Sequence, residues 1–262
     1  MVSGTKEWSD ISENIQTGCE HDCAYCYARA NALKYGQVKN RTEWTCPVFN
    51  HNKLGKKSYP TRKDQVIMFP TSHDITPKNI LEVVPYLKKI LSAGNRVLIV
   101  SKPHISCIET LCKELVNYKD QILFRFTIGS ARNDVLKFWE PGAPDFDERL
   151  KCLEHAFTHG YQTSVSMEPL LDEDPYSVIV KIAPYITDAI WLGKMNRMWE
   201  RIDTRNYTPK DWEYYYLVER SQTNDKIIVL YNALKNVNKI KWKESIKVVV
   251  GLPVAEVSGT DK

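Results

Sequence analysis

Three cysteines lie close together near the start of the chain and have the residue type and spacing of a metal-cluster site. Cys19, Cys23 and Cys26 form a C-x3-C-x2-C motif, and the aromatic Tyr25 directly precedes the third cysteine. Iron–sulfur clusters are held by cysteine thiolates, and short spacings suit a compact cubic cluster. Three thiolates on a four-iron cluster leave one iron without a protein ligand, and that open iron is where chemistry can occur.

Two other interpretations of the motif have to be weighed. A structural zinc site needs four closed ligands, often supplied by two separated C-x2-C pairs. No second pair is present here, although His21 lies between the cysteines and is a conceivable ligand. A purely structural role as buried core cysteines is disfavoured because the intervening Glu20, His21 and Asp22 make the loop polar. The motif therefore favours a 4Fe–4S cluster.

Composition sets limits on the class of protein. The chain has 262 residues, of which 43% are hydrophobic and 26% are charged, as is ordinary for a globular α/β protein. A net charge of +4 does not by itself indicate a nucleic-acid partner. The N-terminus is polar and no apolar run reaches the ~18 residues of a membrane span. Together with an odd number of cysteines, seven, this predicts a cytoplasmic protein without disulfides or membrane contact.

Hydrophobic patterning predicts strands that alternate with helices. The expected strands are short and almost continuously apolar, and they cover residues 13–17, 65–69, 96–101, 121–127, 161–167 and 188–193. The expected helices cover residues 27–35, 77–93, 105–117, 146–159, 174–185, 210–221 and 226–235. Residues 37–64 are polar and are expected to be an inserted surface loop. Apolar strands separated by helices indicate a parallel sheet covered by helices.

Six such units predict an α/β protein with a partial (β/α)6 barrel, in which the cysteine loop follows the first strand. We expect one domain over residues 1–262, with a core at about 10–200 and a helical C-terminal extension at about 201–262. In barrels of this kind the functional groups lie at the carboxyl ends of the strands. The polar residues that follow the strands, and that should therefore share one mouth, are Thr71, Ser72, His73, Asp74, Ser101, Lys102, Thr127, Ser166, Glu168, Lys194 and Asn196.

The cysteine motif, with an aromatic before its last cysteine, resembles the signature of radical S-adenosylmethionine enzymes. The resemblance implies a partial (β/α)6 barrel, a 4Fe–4S cluster bound by Cys19, Cys23 and Cys26, and S-adenosylmethionine bound to the fourth iron. It also implies one-electron cleavage of that cofactor to a 5′-deoxyadenosyl radical, which abstracts hydrogen from a substrate. The cofactors carry the difficult chemistry, and the protein orients and shields them.

Further segments resemble the spore photoproduct lyase-like branch of these enzymes. They are residues 18–29, 99–102 and 139–144, followed by Arg149 and Leu150, so that the resemblance extends from about Gly18 to Asp172. Spore photoproduct lyase itself donates hydrogen from a cysteine near the end of the second strand. Residues 69–75 contain no cysteine, which argues against thymine-dimer repair.

The resemblance also implies roles for strand-end residues. It places Tyr25 near the adenine of S-adenosylmethionine, Lys102 on the methionine carboxylate and Thr127 on the ribose. Ser72 and Asp74 occupy the place where relatives bind the methionine amino group, and acceptor atoms suit an ammonium. Simpler alternatives exist: a core-filling Tyr25, an ordinary strand-end Thr127, a surface Lys102, and an Asp74 that caps the helix expected to begin at Pro77.

The remaining polar residues are assigned from position. Glu168 could bind cofactor hydroxyls or substrate, or it could pair with Arg149 or Lys194. Glu140 and Arg149 are expected to form a structural ion pair. The best candidates for substrate contacts follow the sixth strand and are Lys194, Asn196 and Arg197, although a salt-bridged surface turn would explain them equally well. No catalytic residue is assigned.

The sequence thus predicts a radical S-adenosylmethionine enzyme whose substrate is undetermined. It would need an electron donor such as flavodoxin or ferredoxin, and we expect a monomer or a weak dimer. One alternative is a DNA lesion lyase of the spore photoproduct type. Another is a non-enzymatic Fe–S or zinc protein that binds nucleic acid, for which the basic segment at residues 53–63 and the tyrosines at 214–216 would be the contact surfaces.

Overall fold

A computed structural model describes residues 2–261, and its central feature is a parallel β-sheet. The strands, numbered in chain order, are β1 (Ile11–Ser12), β2 (Gln16–Thr17), β3 (Val48–Phe49), β4 (Val66–Phe69), β5 (Arg96–Ser101), β6 (Ile122–Thr127), β7 (Gln162–Met167), β8 (Ile190–Leu192) and β9 (Ile240–Trp242). In the described chain, seven of them form a sheet in the order β1-β4-β5-β6-β7-β8-β9, and every pairing in it is parallel. β2 and β3 form a separate antiparallel pair.

Helices connect the strands and cover the outer face of the sheet. They are α1 (Tyr27–Lys34), α2 (Arg41–Trp44), α3 (His51–Leu54), α4 (Ile80–Ser92), α5 (Ile105–Glu114), α6 (Asn133–Trp139), α7 (Phe146–Thr158), α8 (Tyr176–Ile182), α9 (Met198–Arg201), α10 (Pro209–Ser221), α11 (Asn224–Leu234) and α12 (Glu244–Val250). The predicted α/β fold with a parallel sheet and a partial barrel is confirmed.

The two faces of the sheet are filled differently because side chains alternate along each strand. Phe124 and Phe126 of β6 are fully buried in the large apolar core that the sheet shares with its helices. The intervening Arg125 lies on the inner face, where its guanidinium is 4.5 Å from the ring centroid of Trp8 and 5.3 Å from that of Trp191. On the inner face, the buried Arg125 cation therefore packs against two aromatic rings.

The structure differs from the prediction at both edges of the sheet. The first strand of the sheet is Ile11–Ser12, whereas the predicted strand at residues 13–17 contributes β2, which pairs with β3 of the polar insertion. At the other edge, the C-terminal region contains helices but also β9, a seventh strand that the sequence did not predict. Each of these strands has two or three residues, too few for a periodic pattern to be recognised. Their backbone hydrogen-bonding partners are supplied by chain-distant segments.

The N-terminal segment bridges the two edges of the open sheet. Lys243, which directly follows β9, is fully buried, and its Nζ lies 2.9 Å from Oε1 of Glu7 and 2.9 Å from the carbonyl oxygen of Gly4. The same ammonium lies 3.3 Å from Oε2 of Glu168 and 3.6 Å from the ring centroid of Trp8. One buried lysine thus joins the start of the chain, the last strand and the end of β7.

None of the helices between residues 2 and 261 has both the length and the apolar character needed to cross a membrane.

Replacing Lys243 with Met should destabilise the protein strongly. Glu7 and Glu168 would lose the cation that offsets their burial, and breaking a buried pair on one side typically costs about 3–5 kcal/mol. Urea denaturation followed by circular dichroism measures the free energy of unfolding. The exposed Lys226→Met variant is the control and should change it by less than ~0.5 kcal/mol. A loss below about 1 kcal/mol for Lys243→Met would show that this network does not close the barrel.

Candidate metal and cofactor site

The three cysteines of the motif line one cavity at the carboxyl ends of the sheet strands. The cavity has a volume of about 900 Å³ and includes Cys19, Cys23 and Cys26 in its wall. Cys19 and Cys23 are buried, and Cys26 is partly buried at the start of α1. The Sγ of Cys26 accepts a hydrogen bond from the backbone N–H of Arg29 at 3.4 Å, so the third cysteine also caps the helix. The motif loop follows β2, not a strand of the main sheet.

Two glycines let neighbouring backbone approach the cysteine loop from opposite sides. Gly18 has a φ of +100°, and a side chain there would lie 2.6 Å from the carbonyl oxygen of Trp44. That same carbonyl accepts a hydrogen bond from the backbone N–H of Cys19 at 2.9 Å. On the other side, the N–H of Gly142 donates to the carbonyl of His21 at 3.0 Å, and a Cβ on Gly142 would collide with this loop. The loop is therefore fixed by backbone contacts before any metal binds.

Asp74 connects the cysteine loop to the ends of β4 and β5. Its Oδ1 accepts hydrogen bonds from the Ser101 hydroxyl at 2.9 Å and the Lys102 backbone N–H at 2.7 Å. Its Oδ2 lies 3.0 Å from Nδ1 of His21 and 3.8 Å from both the Cys19 sulfur and Nζ of Lys102. Burial alone would raise the pKa of Asp74, but Lys102 and His21 more than offset this and lower it well below its usual value. Asp74 is thus an ionised acceptor with both oxygens engaged.

The alternative role of Asp74 as a helix cap is not what the structure shows. The helix after β4 begins at Ile80, three residues later than the predicted start at Pro77, and its N-cap residue is Asn79. Asn79 closes the preceding turn by accepting from the Thr76 N–H at 2.9 Å and donating to the backbone carbonyl of Asp74 at 2.9 Å. The Asp74 side chain is left to point towards the cysteine loop.

His21 is fully buried between two partners. Besides the contact of its Nδ1 with Asp74, its Nε2 lies 2.9 Å from Nε2 of His104, and Nδ1 of His104 lies 3.7 Å from Glu148. Among residues 2–261, one set of three potential metal ligands has its donor atoms within 4.8 Å of one another, namely Cys19, His21 and Asp74. Because both nitrogens of His21 already contact neighbours, a metal at this set would have to displace one of them.

Tyr25 lies on the wall of the cavity, supported from behind by a buried ion pair. Its hydroxyl donates to the carboxylate of Glu140. Glu140 in turn lies 2.6 Å from Arg149, and both side chains are fully buried, so the predicted structural ion pair is confirmed. Arg149 also donates to the backbone carbonyl of Thr127 at 3.1 Å. Nζ of Lys102 lies 5.8 Å from the Tyr25 ring centroid. These contacts fix the orientation of Tyr25 relative to the cysteines.

The other predicted site residues are all brought to the lining of this cavity, which includes Ser72, Thr127, Glu168, Lys194, Asn196 and Arg197. The partner expected for Glu168 was wrong: it pairs with Lys243, not with Arg149 or Lys194. Arg197 is 68% exposed and lies 3.6 Å from Glu200 in the i,i+3 arrangement. Arg197 therefore fits, in part, the salt-bridged surface turn that was the alternative to a substrate contact.

Some lining residues were missed by the sequence reasoning. Tyr27 donates its hydroxyl to the backbone carbonyl of Thr71, and Arg201 extends from the short helix α9. Tyr27 follows the motif directly, so its position offered a signal. Trp8 and Arg201 also line the cavity, but no sequence signal marked them, because each reaches the cavity only through the folding of distant segments.

Burial disfavours the thiolate form of the motif cysteines. Desolvation raises the pKa of Cys19 well above its usual value, and the neighbouring Asp74 carboxylate raises it further. Burial also raises the pKa of Cys23, against the opposing effect of Lys102. A metal cation would supply the positive charge that such thiolates need. Of the remaining cysteines, Cys107, Cys112 and Cys152 are buried and Cys46 is exposed.

Comparison with known structures identifies the fold. The chain superimposes on a cysteine-to-serine mutant of spore photoproduct lyase with a TM-score of 0.50 and 13% identity, covering 92% of this chain and 78% of the other. For spore photoproduct lyase complexed with dinucleoside spore photoproduct, the TM-score is 0.54 at 15% identity, over 89% and 76% of the two chains. A double mutant with bound AdoMet and dinucleoside spore photoproduct gives 0.52 at 16% identity, over 83% and 64%.

Comparison with known sequences does not identify a family for the chain. No protein-family profile matches the chain. An uncharacterized protein, ORF301, of Acidianus two-tailed virus is 28% identical over 177 residues. That match covers 63% of this chain and 58% of the viral protein, so it spans less than two thirds of the relative. The structural superpositions, rather than these sequence matches, show that the chain shares the fold of spore photoproduct lyase.

In metal-free protein at pH 7.5, iodoacetamide should alkylate Cys46 at least about tenfold faster than Cys19 or Cys23. The thiolate is the reactive form, and burial both shields Cys19 and Cys23 and raises their pKa. Peptide mapping by mass spectrometry against time measures each rate. A Cys46→Ser variant should lose the fast phase and keep the slow one. Labelling of Cys19 or Cys23 as fast as Cys46 would contradict the buried arrangement.

Proposed function

We propose that this chain, which has the fold of spore photoproduct lyase, is a radical S-adenosylmethionine enzyme with a 4Fe–4S cluster on Cys19, Cys23 and Cys26. The observation that carries the proposal is the shared cavity: the three motif cysteines line the same space as Asp74, Lys102, Thr127 and Glu168. The cavity thus combines groups suited to a cluster with groups suited to a zwitterionic nucleoside cofactor. A double mutant of spore photoproduct lyase, which has the same fold, contains bound AdoMet.

The donor set fits a cluster better than a single metal ion. The three motif thiols are free, they come from one loop, and they border a cavity of about 900 Å³, within the usual size of ligand sites. Thiolate ligation suits iron–sulfur clusters. The zinc alternative would use Cys19, His21 and Asp74, leave out two of the three motif cysteines and replace the contact between Nδ1 of His21 and Asp74.

When bound, the cluster would supply an electron that cleaves S-adenosylmethionine to a 5′-deoxyadenosyl radical, which abstracts hydrogen from a substrate. The protein's own task is to bind, orient and shield these groups. Lys102, whose backbone N–H is held by Asp74, would bind the methionine carboxylate. Burial lowers the pKa of Lys102, but the acidic groups around it, Cys23, Asp74 and Glu140 among them, raise it well above its usual value, which favours the charged ammonium.

The other cofactor contacts follow from which groups remain free. Ser72 would accept from the methionine ammonium, whereas Asp74, whose oxygens are already occupied, would contribute charge at close range and align Lys102. Tyr25 would lie against the adenine with its hydroxyl anchored on Glu140. Thr127 and Glu168 would contact the ribose hydroxyls. For Glu168 the contact with Lys243 involves only Oε2, which leaves Oε1 for a ligand.

A DNA lesion lyase of the spore photoproduct type is the second candidate, favoured by the TM-score of 0.54 with the lyase complexed with dinucleoside spore photoproduct. The cavity argues against it. Over residues 2–261, the only cysteines in the cavity lining are the three proposed cluster ligands. A cysteine that donates hydrogen would have to be one of them. The proposed enzyme would also require an external electron donor, such as flavodoxin or ferredoxin.

Anaerobically reconstituted protein should contain about four iron and four sulfide per chain, as the cluster type requires. After reduction with dithionite and addition of S-adenosylmethionine, it should release 5′-deoxyadenosine, which liquid chromatography with mass spectrometry detects. The Cys23→Ala variant should lose cluster and product together because one of three ligands is gone. Cys46→Ala is the matched control and should retain both.

Two results would contradict this function. One is an intact cluster without 5′-deoxyadenosine above the level of the Cys23→Ala variant. The other is a protein that takes up one zinc and no iron under the same conditions, which would favour the zinc alternative at Cys19, His21 and Asp74.

A further inference from the structure

Most charged side chains in the cavity wall have a partner of opposite charge. Lys102 lies beside Asp74, Glu168 beside Lys243, and Arg197 beside Glu200. Asp22, at the side of the cysteine loop, is bound by Arg29 at 2.8 Å and by Arg41 at 2.7 Å. These pairs account for charge in the wall without requiring a ligand.

Two partly buried cations in the cavity wall have no such partner among residues 2–261. Lys194 follows β8 and Arg201 is the last residue of α9, and both line the cavity. Throughout residues 2–261, no carboxylate oxygen lies within 4.0 Å of either side chain, whereas each of the pairs named above meets that distance. Glu200 and Glu168 affect Arg201 only from further away, and Glu168 is committed to Lys243.

Leaving these cations unpaired is unfavourable. Burial lowers the pKa of Lys194, and burial together with the neighbouring Arg197 lowers the pKa of Arg201. Arginine presents a planar fork of donors that matches oxyanions, and lysine is a compact positive charge. A bound oxyanion would compensate the positive charge of either side chain. Among residues 2–261, the one acid of the lining without an ion pair is Glu244, which lies in the first turn of α12, where the helix N-terminus stabilises it.

We propose that Lys194 and Arg201 form an anion subsite for the substrate, so that the substrate carries a phosphate or carboxylate group. This inference rests on the proposed function, since it leaves Lys102 as the ligand of the cofactor carboxylate and assigns Lys194 and Arg201 to the substrate. It adds Arg201 to the substrate contacts. It also gives Arg197, which is exposed and already paired, a lesser part than the sequence suggested.

The subsite can be tested without knowing the substrate. Methyl phosphate is the phosphate probe, and its binding to reconstituted protein is followed by ³¹P NMR titration under anaerobic conditions. Acetate is the carboxylate probe and is measured by its ability to displace methyl phosphate. The relative affinities of the two probes distinguish a phosphate-bearing substrate from a carboxylate-bearing one, and either preference supports the subsite.

The variants are Arg201→Gln and Lys194→Gln, with Arg205→Gln as the control. Each removes one positive charge, but Arg205 is 84% exposed in its side chain and is paired with Asp203. Loss of a charge-assisted hydrogen bond should weaken methyl phosphate binding about tenfold in Arg201→Gln and in Lys194→Gln. The control should bind as the wild type does. Equal binding by all four proteins, or no saturable binding by the wild type, would overturn the subsite.

Adding S-adenosylmethionine separates substrate binding from cofactor binding. If the pair serves the substrate, saturating S-adenosylmethionine leaves methyl phosphate bound. If it serves the cofactor carboxylate, the cofactor abolishes that binding, and the inference is overturned. Release of 5′-deoxyadenosine is measured on the same samples. Product without methyl phosphate binding contradicts the subsite alone, whereas methyl phosphate binding without product contradicts the proposed enzyme but supports the anion site.

Discussion

The carboxylate of Asp74 is the charge on which the geometry of the candidate site depends. It is buried beneath the cavity, and an isolated charge there would be very costly. The cost is offset by a hydroxyl, a backbone N–H, an imidazole and an ammonium, supplied by Ser101, Lys102 and His21. Because these groups come from the end of β5 and from the cysteine loop, satisfying one carboxylate fixes both segments relative to the strand end that carries Asp74.

A second buried charge has a comparable effect at the ends of β7 and β9. Lys243 joins the N-terminal segment, the residue after β9 and Glu168 at the end of β7. The sheet is open between β1 and β9, and this lysine lets the N-terminal segment bridge the two edges. The same interaction therefore closes the barrel and places Glu168 in the cavity wall. Asp74 lies in the cavity wall itself, whereas Lys243 contacts Glu168, which lies in that wall.

The central strands β4 to β7 and most of the helices could be predicted because their signals are local. A run such as Val97–Ile99 is apolar enough to indicate a buried parallel strand, and Gly94 marks the end of α4 with a φ of +78°. The strand ends were then correctly located, so the polar residues behind them were correctly grouped at one mouth. The strands at the two edges of the sheet were not predicted correctly because their signals are not local. β1 and β9 are too short to show periodicity, and they exist because neighbouring strands complete their hydrogen bonds.

The sequence by itself determined the cysteine motif, the parallel sheet and the set of polar groups at its carboxyl end, since each depends on residue type and spacing within a short segment. The tertiary structure decided which of these groups have partners. It engaged both oxygens of Asp74, paired Glu168 with Lys243, and left Lys194 and Arg201 without an acid within 4.0 Å among residues 2–261. Pairing between residues far apart in the chain depends on distance and burial, which only the folded chain defines.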